Sequence, residues 1–111
     1  MNHHHFRQGD VLLIPVDNIP ANAKPVDPDG GKLILAYGEV TGHHHAVEQQ
    51  DGVQLVTAEQ ADELRMWLEI STAEPVALTH QEHATIMVPP GRYERRIQRE
   101  YAPDAIRTVQ D

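Results

Sequence analysis

The stretch VQLVTAEQADELRMWLEIS, residues 53–71, carries two periodicities at once, and the choice between them decides the fold class. Its opening, VQLVT, has the length and β-branched character of a strand. The Asp51-Gly52 pair in front of it marks a hairpin turn. Thr57 followed three residues later by Gln60 then has capping-box spacing, with acids in the first turn, and this predicts one short helix over residues 58–64. Ala61, Leu64 and Leu68 would share a face if that helix ran on through Trp67. From Arg65 onward, however, Met66, Leu68 and Ile70 alternate with Arg65, Trp67 and Glu69, the period of a strand. We read the stretch as strand, short helix, strand.

On the N-terminal side, VLLIPV (residues 11–16) follows Gly9-Asp10, and its internal Pro15 predicts an edge position or a strand end. NIPANAKPVDPDGG (residues 18–31), rich in proline and glycine, reads as a long loop. KLILAY (residues 32–37) and HHHAVEQ (residues 43–49) are strand candidates on either side of a glycine-bounded turn, and with VQLVT they form an expected β-meander. On the C-terminal side, PVALTH and TIMVPPG are two further apolar runs. RYERRIQREY spaces Tyr93, Ile97 and Tyr101 four apart, but its place directly after Pro-Pro-Gly favours a strand. Short strands with a single helix predict a mainly β chain: one small β-barrel or β-sandwich domain over residues 1–111, with residues 1–6 loose and residues 103–111 a tail.

At 111 residues the chain has room for one core and not two. A formal charge of −8 argues against nucleic acid as a partner, because neutralising phosphates dominates that affinity. Cations and positively charged partners suit it better. There is no cysteine, so a metal would be held by nitrogen and oxygen alone. No secretory signal or apolar run of membrane-spanning length occurs, which leads us to expect a cytoplasmic protein with no membrane partner. Exposed strand edges on a chain this small also make a homo-oligomer an expectation. The opening MNHHH is either native or left from a purification tag, and no function is assigned to it.

The remaining histidines fall in two clusters, His43-His44-His45 and His80/His83. Successive strand residues point to opposite faces, so His43 and His45 project together while His44 points away. His80 and His83 meet only if THQEH turns. If the clusters converge, four imidazoles, or three with Glu48 or Glu82 as oxygen donor, suit a divalent transition metal: zinc, nickel, iron or manganese. An enzyme built on this site would act on a small-molecule ligand, with Glu82 or His44 as the catalytic proton carrier. Against this stand a solvated histidine patch with no ion, and a metal-free site in which Glu39, Glu48 or Glu82 assists acid–base chemistry or pH sensing. The second reading overall is a non-catalytic ligand-binding or protein-binding module with structural histidines. Ser71, the only serine, lies in no nucleophile-elbow motif, and the glycines lack phosphate-loop spacing. Arg92, Arg95, Arg96 and Arg99, interleaved with Tyr93 and Tyr101, could meet an anion. The simpler expectation is that they pair with carboxylates such as Glu94, Glu100, Asp62 and Glu63.

The ordered segments RQGDVLLIPV, AYGEVTGHHH, LTHQEH, VPPGRYE and QREYAPDAIRTVQD resemble a family of small, uncharacterised bacterial proteins. That resemblance implies a shared site at His43, His45, His80 and His83, and brings no activity with it. Gly38, His43, His45 and Glu48 are also similar to the first motif of the cupin metal-binding β-barrels, with the glycine one residue closer and Glu48 separated from His45 by two intervening residues where the family has three or four. In the second cupin motif Pro89 and Gly91 match, but Glu94 stands where the family has a histidine. The resemblance implies that His80 or His83 would take that ligand's place.

Overall fold

A computed structural model describes residues 4–38 and 42–98 of the chain. Among these residues every regular element is a strand. The strands are β1 (Phe6–Gln8), β2 (Val11–Pro15), β3 (Lys24–Pro25), β4 (Lys32–Tyr37), β5 (His44–Glu48), β6 (Val53–Gln60), β7 (Glu63–Ile70), β8 (Val76–Leu78), β9 (Ile86–Val88) and β10 (Gly91–Ile97). The mainly β reading holds, but the short helix at residues 58–64 does not form. Instead β6 and β7 make one long antiparallel hairpin, paired from Val53↔Ile70 to Gln60↔Glu63. Ala61 and Asp62 close it with φ of 53° and 65°. Two positive φ values in a two-residue loop are the type I′ geometry, whose twist matches that of the flanking strands. The capping-box spacing lost because eight cross-strand pairs and a buried face outweigh a nucleus of barely two helical turns.

The large sheet runs β1-β2-β10-β7-β6-β3, all antiparallel. β4 pairs with β5 and β8 with β9. The two small pairs are joined by reciprocal backbone bonds between Ala46 and Thr79, at 3.0 and 2.9 Å. The expected meander is therefore corrected: β5 pairs back onto β4, and after the Asp51-Gly52 turn β6 leaves for the other sheet. The large sheet ends in β1 and β3, and no closed barrel forms among the described residues.

One core lies between the layers. Val11, Leu13, Leu55, Leu68, Ile70 and Tyr93 come from the large sheet, while Leu33, Leu35, Val47, Val76, Leu78 and Val88 come from the small pairs. Each such side chain contributes about 1.5–3 kcal/mol on burial. The outer face of the β6–β7 hairpin buries Val56, Ala58 and Trp67 beneath Val16 and beneath Ile19 and Ala23 of the proline-rich loop. That loop is thus a cover for Trp67, and its β3 segment extends the sheet at Lys24↔Thr57. Pro15 ends β2 as expected, beyond the reach of β1, which pairs only as far as Leu13. Phe6, placed by sequence in a loose N-terminal segment, instead starts β1 and packs edge-on against Tyr93 at 5.8 Å. Residues 1–3, 39–41 and 99–111 lie outside the described residues, and with them Glu39, Arg99, Glu100, Tyr101 and the expected tail.

The type I′ turn carries alanine where asparagine fits better, since a left-handed conformation at an ordinary L residue costs roughly 1–2 kcal/mol. The double substitution Ala61→Asn, Asp62→Gly should therefore stabilise the domain by about 1 kcal/mol, raising Tm by about 4–8 °C in a thermal melt. A helix at this position would be weakened by the same change.

Candidate functional site

β4 and β5 pair in regular register from Lys32↔Glu48 to Ile34↔Ala46, and then a bulge sets Ala36, not Leu35, opposite His45. Inner-face alternation along β5 continues from Val47 to His45, so the imidazole takes the next core position and is only 3% exposed. The hairpin is closed by Gly38, whose N–H donates to the His43 carbonyl at 2.8 Å. Across from it, the turn after β8 is folded by His80: its Nδ1 accepts the backbone N–H groups of Glu82 at 3.0 Å and His83 at 3.3 Å. That turn is the one the sequence required for His80 and His83 to meet.

The two histidine clusters converge. Ring centroids lie 4.3 Å apart for His45–His80, 4.6 Å for His80–His83, 5.6 Å for His43–His80 and 5.9 Å for His45–His83. All four rings line one cavity of about 740 Å³ together with Asp10 and Glu82. Glu82 Oε2 stands 3.8 Å from His43 Nδ1, and Asp10 Oδ1 stands 3.6 Å from His45 Nε2.

His44 does not line this cavity. Its ring lies against Tyr37 at 6.4 Å, and its backbone N–H donates to Gln81 Oε1 at 2.8 Å. Glu48, the other candidate oxygen donor, pairs with Lys32 at 3.5 Å outside the cavity. Glu94, at the position of the last cupin ligand, is engaged by Arg65 and Arg96 at 3.5 and 3.2 Å and is likewise not among the lining residues. Of the cupin-like set, His43 and His45 reach the cavity wall along with Gly38. Of the arginine strip, Arg92 pairs with Glu69 and Arg96 with Glu94, as the simpler reading expects of them.

Sequence reasoning missed Gln8, which organises the site. Its amide nitrogen donates to the carbonyls of Leu78 at 2.8 Å and Ala84 at 2.9 Å, and its Oε1 lies 2.9 Å from His45 Nδ1. Rotating the amide would aim its oxygen at two carbonyl oxygens, so Oε1 must be the acceptor and His45 Nδ1–H the donor. The tautomer of a neutral His45 is thereby set, and Nε2 keeps its lone pair. The ring stays neutral because burial, then the His80 ring, push its pKa down to about 4, only partly opposed by Asp10. Burial, then His83 and His43, also hold His80 below the ordinary imidazole range. With its Nδ1 accepting two backbone donors, a neutral His80 carries its proton on Nε2. Gly9 completes the arrangement. It has φ 60°, and a Cβ there would sit 2.7 Å from His83 Nε2, so the His83 ring rests where only glycine leaves room. A signal for Gln8 and Gly9 existed in RQGD as a two-residue hairpin turn, but nothing local says that its flanking glutamine points into a core.

As the side chains stand, no three His, Asp or Glu residues among those described are arranged to hold a metal ion. His45 offers Nε2 to the cavity, whereas His80 directs the lone pair of its Nδ1 to the backbone. The ring spacing nonetheless suits an ion. With metal–nitrogen bonds of about 2.0–2.1 Å and tetrahedral angles, imidazole centroids around one ion stand about 5 Å apart.

A family model described as a domain of unknown function (DUF8820) matches residues 7–98, most of the chain and all four cavity histidines. The chain belongs to this family. Comparison with curated proteins and with solved structures gave no match, and none of the comparisons carries the cupin resemblance. Among the described residues, no helix is long and apolar enough to cross a membrane.

Two measurements test this geometry. In the metal-free protein, long-range ¹H–¹⁵N spectra should show His45 as the neutral Nδ1–H form at pH 7, still neutral at pH 5 and titrating near about 4. Because the folded-state pKa lies below the unfolded one, the folded protein binds fewer protons. Its stability is therefore full above about pH 6.5 and falls as pH drops toward 4, by on the order of 2–3 kcal/mol. An Nε2–H tautomer would contradict the Gln8 assignment. Separately, Gly9→Ala should cost about 1–2 kcal/mol in a denaturant melt and displace the His83 ring, seen as a changed His83 resonance.

Proposed function

We propose that the cavity binds one divalent transition metal ion through His45 Nε2 and at least two of His43, His80, His83 and Asp10. The observation that carries this reading is His45: a buried imidazole, neutral at pH 7, with its proton held on Nδ1 by Gln8 and a lone pair left on the cavity side. An outer-sphere partner that sets tautomer and ring angle is the usual companion of a metal-bound histidine. The low basicity of His45 and His80 acts in the same direction, since an ion displaces no proton from a ring that is already neutral. Binding asks the His80 ring to turn and release two backbone N–H groups at a solvent-accessible loop, a cost of about 0.5–1.5 kcal/mol per bond. Ligation by several nitrogen atoms offsets that several-fold. Should the bound ion activate a water, Glu82 at the cavity wall is the better-placed proton acceptor, since His44 lies outside.

A second reading is favoured by one specific contact. With His80 Nδ1 accepting from the backbone, its Nε2–H is a donor within a metal-free cavity, where Asp10 and Glu82 supply acceptors for a polar ligand.

The readings separate in a calorimetric titration of chelator-treated protein with zinc or nickel. The terminal run interferes, so the protein used should carry His3→Ala, His4→Ala and His5→Ala. One ion per chain is expected, with binding abolished by His45→Ala, weakened about tenfold or more by Gln8→Leu, and unchanged by His44→Ala. Absence of saturable binding, or equal losses for His44→Ala and His45→Ala, would rule out the metal reading.

A further inference from the structure

The turn after β8 is closed by one atom. His80 Nδ1 accepts the backbone N–H groups of Glu82 at 3.0 Å and His83 at 3.3 Å, in the manner by which a short polar side chain caps the residues two and three positions ahead of it. The segment is anchored at both ends by other contacts. Thr79 and Ala46 exchange backbone bonds at 2.9 and 3.0 Å, and the Ala84 carbonyl accepts from the buried Gln8 amide at 2.9 Å. Between the anchors, Gln81 Oε1 accepts the His44 N–H at 2.8 Å and links the turn to the start of β5. His80 is half-buried while residues 81–84 are exposed. Its ring stands 4.3 Å from that of His45 and 4.6 Å from that of His83, on the wall of the cavity. The same imidazole thus closes the turn and faces the place proposed for an ion.

Those two tasks exclude each other. A neutral imidazole carries one N–H and one ring nitrogen able to accept. If Nδ1 ligates, the lone pair that receives the two backbone N–H groups is taken. If Nε2 ligates, the ring proton resides on Nδ1 and points a donor at two donors. Either mode opens the turn. We propose that His80 is a metal-gated latch: in the metal-free protein its Nδ1 holds residues 80–83 closed, and in the metal-bound protein it serves the ion and lets them open. The proposal rests on the metal reading above and commits His80 to the ligand set beside His45. The anchors at Thr79 and Ala84 confine the opening to residues 80–83, and water takes up the freed N–H groups because the turn is already exposed. By linkage, anything that binds the open turn tightens the ion, and anything that binds the closed turn weakens it. Occupancy of the cavity is thereby displayed on the protein surface.

The test follows amide hydrogen exchange, residue by residue, in protein carrying the three terminal alanine substitutions, first chelator-treated and then saturated with zinc as judged by calorimetry. Zinc should speed exchange about threefold or more at Glu82 and His83, with His44 following, and leave Ala46 and Thr79 unchanged. Long-range ¹H–¹⁵N spectra should show His80 Nδ1 pass from acceptor to zinc-bound or protonated. In His80→Asn the side-chain oxygen can still close the turn, so zinc should leave the Glu82 and His83 rates unchanged in that variant. Far-UV circular dichroism checks its fold, and the unsubstituted chain decides the matter if the variant does not fold. The latch is overturned if zinc binds while Glu82 and His83 keep their metal-free rates, if Ala46 and Thr79 speed up equally, or if folded His80→Asn responds to zinc as the unsubstituted chain does. Zinc binding without the amide response removes the latch alone, whereas a flat calorimetric trace removes the metal reading and the latch with it.

Discussion

The contact on which the site depends is the buried amide of Gln8. It ties the end of β1 to the carbonyls of Leu78 and Ala84 and to the ring of His45, so a single side chain joins three segments far apart in sequence. An amide has distinguishable ends, and with both donors committed to carbonyls only its oxygen is left for the imidazole. Without that fixed polarity His45 could adopt either tautomer, and the lone pair facing Asp10 would be a matter of chance. The contact is also a structural necessity, because a buried polar group left unpaired costs on the order of 1–3 kcal/mol.

The cavity is best understood as the place where the core's alternation continues after its apolar residues stop. On β5 the inner-face series runs from Val47 to His45; on β10 it runs from Tyr93 through Arg95 to Ile97. On β4 the bulge after Ile34 adds a residue and sets Ala36 beside His45 where Leu35 would otherwise stand. Bulges of this kind commonly re-aim side chains next to functional sites. The layers therefore stay packed along most of their length, yet leave room and polarity together at one end. A related device appears at Gly9, where a missing Cβ admits the His83 ring to the wall of the cavity.

Charge is arranged with similar consequence. The acidic excess of the chain is partly taken up in surface pairs such as Lys32–Glu48 and Arg92–Glu69, each worth little individually. Asp10, Asp27 and Glu82 line the cavity instead, beside His45 and His80, whose basicity burial and neighbouring rings lower. Among the described residues that line the cavity, Arg95 is the one with a fixed positive charge.

What the sequence determined by itself is the strand content and the two histidine clusters. Period-two alternation in RMWLEIS and the strand-length apolar runs VLLIPV and KLILAY are local properties, and strand alternation predicted the separation of His44 from His43 and His45. The residues 58–64 were misjudged because capping-box spacing is equally local, while the force that overrode it, pairing along the whole β6–β7 hairpin, is not. The tertiary structure alone decided that β5 pairs with β4 and not with β6, that the loop over residues 16–23 covers Trp67, and that Gln8 and Arg95 face inward to the histidines. Those outcomes depend on partners up to seventy-odd positions away, as Gln8 and Ala84 are, and on directional hydrogen bonds whose geometry no run of neighbouring residues encodes.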